Sequence, residues 1–68
     1  MINEILEIIK ENPDITGRQI AKKLGINEQY AYGYLDCLVD NKIINKIQKY
    51  KTIANYELAD GTKWILSD

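Results

Sequence analysis

Few side chains in this 68-residue chain have reactive or ligand-binding chemistry, and their types restrict it sharply. Histidine is absent and Cys37 is the single cysteine. That removes imidazole acid–base catalysis, zinc sites of the ordinary ligand count and an internal disulfide framework. The carboxylates are scattered along helical faces and no phosphate loop is present, so no enzyme and no cofactor are expected. What remains are cations, amides and phenols. Arg18, Lys22 and Lys23 fall in an acid-free stretch, 15–24, and Lys42, Lys46, Lys49 and Lys51 fall in another, 42–51. Between them lie Glu28, Asp36 and Asp40 without a cation, together with Asn27, Gln29, Tyr30, Tyr32 and Tyr34. Clustered cations suit a polyanion, and amides and phenols suit hydrogen bonding to a patterned edge.

The net charge of −1 stands against this, since small nucleic-acid binders are usually basic. It is the sum of alternating blocks, with acidic ones at 1–14, 25–41 and 52–68. Local field follows where charges sit, so two basic patches survive the average. The competing reading is an ordinary mixed surface that keeps the domain in solution. Hydrophobic residues at 46% and charged residues at 28% are ordinary for a folded domain. The length suits a single domain, 1–68, with one modest core and no deep cleft. No apolar run approaches the ~20 residues of a membrane span. The start, Met1-Ile2-Asn3-Glu4, lacks a signal-peptide pattern, so a cytoplasmic protein is expected.

The elements that must hold these groups follow from periodicity. Ile2, Ile5, Leu6 and Ile9 recur at helical spacing, and Asn12-Pro13 ends that helix. Thr16-Gly17-Arg18-Gln19 reads as a capping box opening a second helix, with Ile20, Ala21 and Leu24 inward. Gly25 stands where a left-handed residue ends it. Asn27 caps a third helix, with Ala31, Leu35 and Leu38 on one face and Asn41 expected to close it in a left-handed conformation. Residues 43–50 and 53–58 are rich in strand formers, with Lys51-Thr52 as the turn. Asp60-Gly61 reads as a second hairpin turn leading to a third strand, 62–66; a short helix capped by Asp60 competes. Trp64 is expected to close the core against the first helix, with stacking on a base as the alternative, and Cys37 to be a half-buried structural thiol rather than a redox sensor.

Three helices followed by a hairpin is an α+β layout that resembles the winged helix-turn-helix domains. Thr16-Gly17-Arg18-Gln19-Ile20-Ala21-Lys22-Lys23-Leu24-Gly25-Ile26-Asn27 looks like that family's second helix and tight turn. Leu35, Leu38 and Asn41-Lys42-Ile43-Ile44 look like the end of its recognition helix and the entry to the wing. Ile5-Leu6 through Asn12-Pro13-Asp14-Ile15-Thr16 also looks like the Z-DNA-binding winged helices, but only over the first two helices. That subfamily carries an asparagine and a tyrosine one turn apart on the third helix, where this chain has Tyr32 and Asp36. Glu28 and Gln29 stand where basic residues are expected, and no paired prolines precede Trp64.

The generic resemblance implies sequence-specific binding of double-stranded DNA by a small transcriptional regulator, working as a homodimer. In that family the N-terminal half of the third helix enters the major groove. Here that half offers Asn27, Glu28, Gln29, Tyr30, Tyr32 and Gly33. Gln29 pairs with adenine, Glu28 accepts from cytosine, and the tyrosines reach phosphates or thymine methyls. Gly33 either admits backbone close to DNA or marks a helix–helix contact. Partial burial under the wing is the competing reading for the tyrosines, above all Tyr34. Phosphate contacts fall to Thr16, Arg18 and Lys22 on the second helix and to Lys46, Lys49, Tyr50 and Lys51 in the wing. The alternative is a winged-helix interaction module whose acidic, tyrosine-bearing third helix faces a protein. A continuous positive stripe over Arg18, Lys22, Lys49 and Lys51 favours DNA; acidic interruption of it favours the module.

Overall fold

The computed structural model describes residues 1–48 and 53–66. Helix α1 (Ile2–Glu11) leads to a two-residue strand β1 (Ile15–Thr16), then α2 (Gly17–Leu24) and α3 (Glu28–Asp40). Strands β2 (Ile44–Gln48) and β3 (Ala54–Leu58) and a final helix α4 (Asp60–Leu66) complete the order.

Local hydrogen bonding explains the helix boundaries. Thr16 is extended, and its Oγ1 accepts from the Gln19 amide at 3.2 Å while Gln19 Oε1 accepts from the Thr16 amide at 3.1 Å. This is the reciprocal capping box. Gly25, at φ 68°, ends α2: its amide donates to Lys22 and that of Ile26 donates to Ala21. The pair of bonds is a Schellman motif, in which a left-handed residue costs glycine nothing. Asn27 Oδ1 then accepts from the Gln29 amide at 2.8 Å and starts α3.

The end of α3 departs from expectation by one residue. Asn41 keeps φ −88° and its Nδ2 donates to the Cys37 carbonyl at 2.8 Å. The left-handed residue is Lys42, φ 60°. Its amide donates to Val39 and that of Ile43 to Leu38, a second Schellman motif with lysine in glycine's usual place.

The sheet is antiparallel in the order β1-β3-β2. Ile15 lies opposite Tyr56, and Ile44 opposite Leu58. The expected third strand is therefore misplaced. It is formed by 15–16, not 62–66, because the extended cap of α2 takes the second edge of β3. With both edges of β3 occupied, residues 60–66 turn back as a helix. Two bonds to one carbonyl set its start: Ala59 N–H and Thr62 Oγ1 donate to Ile43 O at 3.1 and 2.6 Å. Asp60-Gly61 thus opens α4 and makes no hairpin turn, and Asp60 sits in a first turn that favours a carboxylate. The expected turn at Lys51-Thr52 lies outside the described residues.

The core joins Ile5, Leu6 and Ile9 of α1, Ile20 of α2, Leu35 and Leu38 of α3, and Ile15, Ile44, Tyr56 and Leu58 of the sheet. Asn55 is also buried, and its Nδ2 donates to the Asp14 carbonyl, tying β3 to the turn after α1. That turn passes through a left-handed Asp14.

Candidate nucleic-acid interface

Helix α3 buries Ala31, Leu35 and Leu38, as its 3.6-residue period requires. Gln29, Tyr30, Gly33, Asp36, Cys37 and Asp40 consequently face outward, all exposed. Tyr30 is 71% exposed, and with Gln29, Gly33, Tyr34 and Cys37 it lines a shallow depression on the outer side of the helix. A β-carbon on Gly33 would meet nothing within 4 Å, so Gly33 is not there for a helix–helix contact. Tyr34, at 38% exposed, is only partly covered.

Tyr32 behaves differently. Its ring lies against Gly17, the first residue of α2, and a β-carbon there would stand 2.5 Å from Tyr32 Cε1. The absence of a side chain at Gly17 thus seats the ring between the starts of α2 and α3. Beside it Arg18 Nε meets Glu28 Oε1 at 3.1 Å. Thr16, Arg18, Glu28, Tyr32, Ile53 and Ala54 line one pocket where α2, α3 and the start of β3 converge. Sequence reasoning missed both contacts. The available signal was an arginine and a glutamate in the first turns of consecutive helices.

The other expected contact groups spread from this pocket. The Thr16 hydroxyl accepts the Gln19 N–H and keeps its own proton to donate. Asn27 is exposed, but its side-chain oxygen is committed to capping α3. Lys22 lies one turn beyond Arg18 on α2 and is exposed. Lys46 is exposed in β2, opposite Tyr56, so it projects from the sheet face that carries Ile44 and Leu58. Lys49, Tyr50 and Lys51 lie outside the described residues. The positive stripe is interrupted at Arg18, whose charge is matched by Glu28. Among the described residues, neither Lys22 nor Lys46 forms an ion pair.

Two further expectations are corrected. Trp64 is 81% exposed and does not close the core; α4 instead turns Thr62 inward, because that hydroxyl bonds the Ile43 carbonyl. Cys37 is exposed, with Asn41 Nδ2 3.6 Å from its sulfur, because its position faces away from the Leu35–Leu38 stripe. Of the phenols, Tyr56 is pushed above the usual tyrosine value, chiefly by burial and then by the charges of Asp36 and Tyr32. Among the described residues no cluster of His, Cys, Asp or Glu could hold a metal, and no helix is long and apolar enough to cross a membrane.

Residues 2–45 match the family of winged helix-turn-helix DNA-binding domains. The match spans the three-helix unit and the first two residues of β2, more than half of the chain. The chain belongs to that family. No curated protein and no solved structure matches it.

Proposed function

We propose that this protein binds double-stranded DNA sequence-specifically and acts as a small transcriptional regulator. The observation that carries this is the family match over α1 to α3, a unit whose third helix exposes Gln29, Tyr30 and Gly33 in its N-terminal half. Gln29 supplies a bidentate partner for adenine, and Tyr30 a phenol for phosphate or a thymine methyl. Gly33 lets the groove edge approach the helix. Thr16, Lys22 and Lys46, with Lys49, Tyr50 and Lys51, hold the backbone; Arg18 joins them only when released from Glu28. Tyr32 and Asn27 position α3 and touch DNA at their outer edges. The whole chain acts as one domain in the cytoplasm, and a homodimer on a palindrome raises the affinity of an otherwise modest contact set.

The test is a fluorescence anisotropy titration against a duplex selected from a randomised pool. With ~4 phosphates neutralised per protomer, log affinity falls with log salt at a slope near −3.6. No binding to any duplex at low salt, or an affinity indifferent to salt, overturns the proposal.

A second reading rests on the Arg18–Glu28 pair and on the lack of any lysine or arginine in α3. On that reading the Tyr30–Tyr34–Cys37 depression faces a protein, since interface cores favour tyrosine and exclude lysine. Amide chemical-shift titration with duplex DNA separates the two. Shifts confined to 16–34 and 46–52 support DNA, and unshifted amides throughout support the protein partner.

A further inference from the structure

Arg18 lies beside the start of α3, and it is the one described candidate for a phosphate contact whose charge is already engaged. Its Nε lies 3.1 Å from Glu28 Oε1, and the two side chains are 78% and 49% exposed. An ion pair this exposed contributes little to stability. A carboxylate is also favoured at Glu28 by its place in the first turn of α3. To a distant polyanion the pair presents a dipole in place of a unit charge, and attraction to phosphate follows net local charge. A phosphate reaching Arg18 Nε must first displace the carboxylate. We propose that Glu28 is an internal counter-ion that withholds Arg18 from the DNA backbone and so lowers the non-specific share of binding. The direct contacts of Gln29 and Tyr30 then carry a larger part of recognition. The DNA consequence rests on the function proposed above, whereas the masking itself applies to any polyanion.

Two measurements on the full chain test it. The first is the salt dependence of binding to a short scrambled-sequence duplex. Glu28→Gln is expected to tighten binding several-fold at low salt and to steepen the log–log slope by about 0.9, one added phosphate contact. Arg18→Gln alone leaves the Glu28 carboxylate unpaired and should weaken binding modestly, whereas adding Arg18→Gln to Glu28→Gln should cost more and cancel the gain. Asp40→Asn removes the same charge elsewhere on α3 and should give a smaller gain. The second is the salt needed to elute each protein from heparin, a polyanion without base edges. Glu28→Gln should elute later than both the parent and Asp40→Asn. Co-elution of Glu28→Gln with the parent overturns the masking, as does an Arg18→Gln penalty as large in the parent as in Glu28→Gln. If no duplex binds any variant but the heparin shift appears, the DNA function fails and the masking stands.

Discussion

Tyr32 rests its ring on the bare α-carbon of Gly17, so that an added methyl would stand 2.5 Å from Cε1. The contact fixes where the start of α3 meets the start of α2. Gly17→Ala should therefore destabilise the domain, by about 1–3 kcal/mol on the scale of overpacked sites. In a Tyr32→Ala background the same change should be neutral, or favourable by up to about 1 kcal/mol from helix propensity. A double-mutant cycle by urea denaturation measures the coupling. Additive effects would mean the ring moves aside freely.

Lys42 holds a left-handed conformation at the end of α3 that Gly25 holds at the end of α2. A β-carbon in that region costs roughly 1–2 kcal/mol. Lys42→Gly should raise stability by about 1 kcal/mol, less any entropy lost from the freer unfolded chain. Gly25→Ala should lower it by about the same amount. Thermal unfolding of the two variants should shift in opposite directions.

Thr62 and Ala59 both donate to the Ile43 carbonyl, joining α4 to the α3–β2 turn. Thr62→Val keeps the shape and one of the two bonds, so the expected loss is about 1 kcal/mol. Amide exchange should accelerate in α4 first. Unchanged exchange there would show that the helix is held by other contacts.

The Tyr56 phenol is raised chiefly by burial, with Asp36 and Tyr32 adding to it. The folded state therefore keeps this proton more tightly than the unfolded chain, whose phenol ionises near its ordinary value of 10.0. The stabilisation is complete below that pH and is lost as pH rises through the higher folded value. Stability should fall in that alkaline window, and Tyr56→Phe should make the fall shallower. Denaturation series at stepped pH, with ultraviolet phenolate absorbance, check both.

Gln29 and Lys46 should separate base reading from backbone holding. On a selected duplex, Gln29→Ala should cost about 1–3 kcal/mol and relax preference at one base pair. Lys46→Ala should weaken selected and scrambled duplexes alike and flatten the salt slope by about 0.9. Equal losses on both duplexes for Gln29→Ala would place that side chain off the bases.

Local order in this chain could be read from residue types alone. The Thr16–Gln19 box, Gly25 and the Asn27 cap each close hydrogen bonds within a few residues, and the Ala31–Leu35–Leu38 stripe needs only the helical period. Those features define the three-helix unit and leave Gln29, Tyr30 and Gly33 on its outer face. What depended on distant partners could not be read so. Whether 62–66 became strand or helix turned on which segment reached the free edge of β3, and Ile15–Thr16 reached it. The one-residue shift from Asn41 to Lys42 is the local exception, since the Asn41 side chain holds the Cys37 carbonyl only four residues back. Trp64 went outward because Thr62 had a carbonyl to bond. Arg18 met Glu28 only because α2 and α3 begin side by side. Charge order along the chain showed that two basic blocks exist. Packing alone decided that a carboxylate stands against one of them, because ion pairing follows distance in space.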